Sequence, residues 1–244
     1  MISNIGAEAA GHEESLGGQL THHIQVYPGF DVQLGEYTLH ISETIITMWA
    51  IMAVLILAAF LVTRRLETYP GKVQNVVEAI IDGINSLVKS ILGHHWRPYA
   101  PYFGTIILFL AVANTLAMFN IPQFRPPTKD VNMPASLAVM SILLLIGSQL
   151  RYKGIGGSFK SLFEPMWIIF PFKILDYFTR PLSLCLRLFG NIFGAFVMME
   201  LIILATRNIV APPIFSLYFD IFDGLLQAFI FTFLSMLYIA EAIE

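Results

Sequence analysis

The chain carries little charge: 13% of its 244 residues are Asp, Glu, Lys or Arg, while 56% are hydrophobic and the mean hydropathy is +0.69. A soluble domain of this size has too little interior to hide that apolar surface. One cysteine, Cys185, excludes an internal disulfide and a cysteine-cluster metal site. A net charge of −3 gives no electrostatic basis for binding nucleic acid. There is no HExxH and no GxSxG, and no histidine falls in the later apolar runs, so a membrane hydrolase has no nucleophile–base pair or metal ligands to work with. No internal repeat is visible, which argues against the inverted-repeat plan of many stand-alone secondary transporters. No basic stretch followed by an apolar one opens the chain, so no cleavable signal peptide is expected. Lysine and arginine are absent from the first 43 residues. The tail histidines His12, His22 and His23 have no second ligand cluster near them and are read as solvated; no metal and no cofactor are expected.

What is present is a series of apolar runs near the roughly 20 residues that a spanning helix requires. They predict an all-α polytopic membrane protein with about five crossings, at 44–63, 102–122, 135–150, 181–206 and 214–240. Residues 1–43 form an extracytoplasmic segment, and 44–244 one membrane domain. Residues 72–92 differ. Val73, Val76, Val77, Ile80, Ile81, Ile84, Leu87, Val88 and Ile91 fall on one helical face, with Lys72, Asn75, Glu78, Asp82, Asn85 and Lys89 opposite. This pattern predicts an interfacial amphipathic helix on the cytoplasmic side. Residues 161–177 also read as interfacial. Asn114 and Asn120 interrupt the second run, serving either helix-to-helix hydrogen bonds or a water path.

With five crossings, Arg64, Arg65, Lys72, Lys89, Arg97, Arg151, Lys153, Lys160, Lys173 and Arg180 fall on one side, and Arg125, Lys129 and Arg207 on the other. The positive-inside rule then puts the N-terminus outside and the C-terminus in the cytoplasm of a multi-pass plasma (inner) membrane protein. At about 1.5 Å per residue the last two runs each reach roughly 40 Å, against a hydrocarbon layer of about 30 Å. Both are therefore expected to be strongly tilted.

The remaining basic residue, Arg187, lies inside an apolar run. A charge there costs about 2.5–3.5 kcal/mol on insertion scales and more than about 10 in simulations. Arginine does not escape by losing its proton. It must face protein or water and meet a negative partner. Arg180, Ser183, Arg187 and Asn191 recur at spacings of three and four, hence on one helix face. Gly190 and Gly194 thin that helix, so something can approach closely. On the last helix, Asp220, Asp223, Gln227, Tyr238 and Glu241 fall in one stripe at about 100° per residue. In antiparallel register, placing Arg187 level with Gln227 puts Asn191 level with Asp223, with Asp220 and Glu200 further outward. Glu200 projects away from Arg187. The arrangement suggests a cation path lined by Glu200, Asp220 and Asp223 and ending near Arg187. For Glu200 and Asp220, buried ion pairing or a headgroup position stands as the other reading.

PLSLCLRLFGN, followed by LLQAFIFTFLSMLYIAEA, resembles the a subunit of the F-type ATP synthase membrane (Fo) sector of bacterial type. PPTKDVNMPASLAV and YKGIGG are similar to that family too, and the likeness covers nearly all of 40–244. The resemblance implies a non-catalytic, ion-translocating stator subunit whose partners are the c-subunit ring, the b-subunit peripheral stalk and the rest of the synthase, in membrane lipid. It implies that Arg187 is essential, keeps the passing ring carboxylate ionised and separates two offset half-channels. Asn191 and Gln227 flank it, and Ser183 lies on its face. Relatives often carry Glu or His nine residues after the motif arginine, where this chain has Phe196; Glu200, one turn on, is the expected replacement. Asp220 stands where relatives have His or Glu. H+ is the expected coupling ion, with Na+ as the alternative.

Overall fold

The computed structural model describes residues 28–34, 37–64, 66, 67, 69, 71–116, 127, 130–163, 170–206 and 217–243. A long apolar run in lipid has to satisfy its backbone hydrogen bonds within itself, and a helix does so. Helix α1 spans Glu43–Thr63, α2 Lys72–Leu92, α3 Ala100–Thr115, α4 Asn132–Phe163, α5 Phe170–Thr206 and α6 Gly224–Ile243. Four helical stretches are long and apolar enough to cross a membrane: Thr44–Thr63, Asn132–Gly157, Phe170–Met199 and Ile221–Ile243. A fifth, α3, is apolar but shorter. The chain is thus an all-α polytopic membrane protein.

Ahead of α1 stands a small exception. Strands β1 (Pro28–Leu34) and β2 (Tyr37–Ser42) form an antiparallel hairpin within the segment expected to be a plain polar tail. The signal is the two-residue alternation of FDVQL and YTLHI around Gly35. Register pairs Phe30 with Ile41, Val32 with Leu39 and Leu34 with Tyr37, so apolar positions oppose apolar ones.

Helix α2 starts after Gly71 and ends at Gly93, whose φ of +53° is in the left-handed region that stops a helix. Its charged positions keep it off the set of apolar spans. Its last turns pack into the bundle, with Val88 and Leu92 buried, while Val73, Val76 and Ile80 near its start are exposed. Helix α3 begins two residues before the expected crossing, and Leu116 follows it as a tight turn. Asn120 lies outside the described residues. Helix α4 runs past the expected end at 150 to Gly154, where φ of +69° and ψ of 171° break it.

The largest departure from expectation is α5. Pro181 reads as a helix start because proline lacks an N–H and disfavours helical backbone in the residue before it. Here Pro181 lies inside a helix of 37 residues that begins at Phe170, so residues 170–177 belong to that helix rather than to a separate interfacial segment. Residues 164–169 lie outside the described ones.

Two packed clusters hold the bundle. One, toward the end carrying Arg97, Arg151 and Arg180, gathers Val88, Leu92, Tyr99, Phe103, Leu145 and Met236. The other gathers Ile106, Leu110, Leu184, Leu188, Ala228 and Phe231 at mid-height. Helix α6 contributes to both and contacts α2, α3, α4 and α5, whereas α5 lies chiefly along α4. Helix α1 presents Trp49, Met52, Ile56, Leu57 and Phe60 outward, while Thr47 and Ile51 are buried and Met48 packs against the mid-height cluster. In a bilayer that outward face belongs to lipid or to another spanning helix.

Candidate functional site

Helix α5 turns Leu184 and Leu188 into the core, which leaves Ser183, Leu186, Arg187, Gly190 and Asn191 on the opposite, exposed side. Arg187 is exposed and makes no hydrogen bond or ion pair among the described residues. On the same face of α5 its neighbours one turn away are Ser183 and Asn191, and the adjacent Leu186 is exposed too. A Cβ at Gly190 or Gly194 would meet nothing within 4 Å, so both glycines open outward. A permanent charge is therefore displayed on the outer surface of the helix with room beside it.

Two groups of polar contacts join α5 to α6. Arg180 Nη2 lies 2.8 Å from Glu241 Oε1 and 3.9 Å from Asp176 Oδ2, and its guanidinium sits 5.0 Å from the ring centre of Tyr238. Asn191 Nδ2 donates to Gln227 Oε1 at 2.6 Å. Asn191–Gln227 and Arg180–Tyr238 share one antiparallel offset. That offset sets Arg187 level with Phe231 and Asp223 level with Ala195, one turn away from the register in which Arg187 faces Gln227. The expected register fails because helix spacing alone does not say which turn of one helix meets which turn of the other.

The acidic stripe also changes. Leu217–Asp223 is a π-helix and the α-helix starts only at Gly224. A π turn holds more residues than an α turn. The 100° periodicity that aligns Asp220 with Gln227 and Tyr238 therefore does not hold ahead of Gly224. Asp223 is half-buried at the last π position. Glu200 falls on α5 and Asp220 in the π segment, and their side chains lie outside the described ones.

Asn114 on α3 donates from Nδ2 to the Gly224 carbonyl at 2.9 Å, a helix-to-helix bond in a buried position, as expected of an amide in an apolar run. Gln227 is buried with Nε2 unpartnered among the described residues, and so is Asn114 Oδ1. Buried polar atoms of this kind cost about 1–3 kcal/mol each if left dry, and they suit a hydrated path. Tyr177 donates to Gln149, and beside that pair a cavity of about 130 Å³ is lined by Lys153, Lys173, Asp176, Arg180 and Glu241. The charged residues at 173, 176 and 180 are visible in the sequence; their convergence with Glu241 requires the α5–α6 register.

A polytopic bundle of apolar helices, with an exposed Arg187 one turn from the Asn191–Gln227 hydrogen bond that joins two of them, defines a multi-pass membrane protein. The chain matches the family described as ATP synthase A chain over residues 45–240 and belongs to that family. Relatives include the ATP synthase subunit a, sodium ion specific, of Propionigenium modestum, 34% identical over 86% of this chain and 76% of that protein. The ATP synthase subunit a 1 of Hahella chejuensis is 38% identical over 84% of this chain and 86% of its own. The ATP synthase subunit a of Gloeobacter violaceus is 35% identical over 94% of this chain and 95% of its own. Members are non-catalytic membrane subunits of the Fo sector, and the function they imply is ion translocation within the ATP synthase.

Proposed function

We propose that Arg187 is the charge past which the carboxylates of a c-subunit ring are carried, and that this chain offers the ring two offset half-channels. The observation that carries this reading is the outward Arg187, unpaired among the described residues, beside two open glycines. A fixed positive charge favours the ionised form of an acid brought near it, so a protonated carboxylate arriving there gives up its ion. The same charge repels a free cation and blocks a direct leak between the half-channels. The outer half-channel runs by Glu200, Asp220 and Asp223 to Asn191 and Gln227, with Ser183 on the arginine's own face. The buried unpartnered atoms of Asn114 and Gln227 support a hydrated route there.

The proton is the proposed coupling ion, as the commoner one in this family. Sodium is the second reading, supported by the sodium-specific relative. ATP-driven pumping by the reconstituted synthase with and without Na+ separates them: protons are expected to move in its absence. The basic end of the bundle is placed in the cytoplasm and the N-terminus outside, by the positive-inside rule. The peripheral-stalk b subunit is the proposed further partner. At about 1.5 Å per residue α5 is roughly 55 Å long, so it is proposed to lie strongly tilted or to extend beyond the bilayer. The decisive experiment is Arg187→Ala in the assembled synthase. Ion-driven ATP synthesis is expected to vanish with assembly intact, and retained coupling overturns the reading.

A further inference from the structure

The π segment is the irregular part of α6's helical path, and it carries two of the proposed ion-path acids. Short π stretches are rare and often sit at functional sites. What fixes this one is a contact with α3. Gly224 is the first residue of the α register, directly after the last π residue, Asp223. Its carbonyl accepts from Asn114 Nδ2 at 2.9 Å. A carbonyl oxygen has a second lone pair free for an outside donor in addition to any helical bond. The approach is so close that a Cβ on Gly224 would lie 3.0 Å from Asn114 Cβ, which only glycine avoids. Both residues are buried.

We infer that Asn114 is a positioning residue whose amide pins the π-to-α junction and so sets the direction in which Asp223 faces. This rests on the reading that Asp223 lines the outer half-channel. If the extra π residue were absorbed into α register, every residue ahead of Gly224 would turn by roughly 100° and move about 1.5 Å along the axis. Asp223 would then point away from the direction it has here. The hydrogen bond and the glycine contact oppose that conversion from outside the helix, by holding Gly224 against α3. Asn114 touches neither ring nor ion in this account; it acts through the backbone.

The test is a distance. Spin labels at Leu217→Cys and Met140→Cys, both exposed positions, in a Cys185→Ser background report the rotation of the π segment against α4. A turn of that size moves a side-chain end by about 8 Å, given a helix roughly 10–12 Å across. Asn114→Leu keeps the side-chain volume and removes the donor, and Gly224→Ala drives a methyl group into Asn114. Both are expected to shift the label distance by several ångströms and to lower ion flux through the full Fo sector about tenfold, while the complex still assembles. Asn114→Ala is the companion variant if the leucine perturbs packing. An unchanged distance in Asn114→Leu and Asn114→Ala overturns the latch. That outcome leaves the half-channel reading standing, because flux in Asp223→Ala tests it separately. Lost flux in Asp223→Ala with an unshifted latch variant locates the failure in the latch alone.

Discussion

Arg180 and Arg187 sit two turns apart on one helix and carry the same charge, yet their surroundings are opposite. Arg180 is fully engaged: Glu241 and Asp176 face its guanidinium, and the Tyr238 ring lies beneath it. Arg187 has no such partner among the described residues and stands exposed on the helix surface. A lone guanidinium in an apolar setting is among the costliest arrangements a membrane helix can hold. The comparison therefore separates two jobs. The charge at Arg180 is used up inside the chain, joining α5 to α6. The charge at Arg187 meets no counter-charge among the described residues, which is what the proposed role beside a passing ring carboxylate requires.

Conservative exchange draws the contrast most sharply. Arg187→Lys keeps a positive charge but one that can deprotonate and that lacks the planar fork, so ion-driven ATP synthesis is expected to fall by at least about tenfold. Arg180→Lys should stay within about twofold, since a point charge still reaches Glu241. Equal losses in ATP-synthesis assays of reconstituted vesicles would dissolve the distinction. Next in size is the amide pair. Asn191→Ala and Gln227→Ala should each slow ion flux, and because the two share one hydrogen bond the double variant should lose about fivefold less than the product of the singles, a coupling near 1 kcal/mol. Additive losses would show that the two amides act independently. Arg180→Ala should destabilise the bundle by about 1–2 kcal/mol, combining a partly exposed ion pair and a cation–π contact. This is measured as a lower unfolding midpoint in mild detergent with turnover per folded molecule nearly kept. Smallest is Glu241→Gln, at less than about 1 kcal/mol, because Glu241 is 62% exposed and water screens the pair. A larger drop would mean that Glu241 has a role beyond bracing Arg180.

Much of this is legible before any coordinates. Hydropathy alone gives the helices, and the cost of Arg187 in an apolar run marks it out by physics as well as by motif. The shared face of Ser183, Arg187 and Asn191 follows from helical spacing and is present in the structure. What sequence reading misses is relational. Pro181 hides the start of α5, because local backbone preference marks a break that packing against α4 overrides. The pairing of Asn191 with Gln227 depends on the offset between two helices, which no periodicity encodes. The π turn at Leu217–Asp223 breaks the α period on which the acidic stripe was built. Asn114 is conspicuous in an apolar run, but its target is a backbone carbonyl 110 positions away, and backbone carries no sequence signal. The hairpin at residues 28–42 shows the opposite case, a clear two-residue alternation overlooked because the surrounding tail is polar.

Any body dragged past Arg187 by electrostatic attraction pulls back on it with equal force. That load acts sideways on α5, which meets it as one unbroken 37-residue rod bearing along α4 and clamped to α6 through Arg180. A helix restarted at Pro181 would put a flexible joint only six residues from the point of pull and let recoil squander the stroke. Under the proposed role, continuity through that proline gives the anchoring member stiffness where the thrust would be delivered.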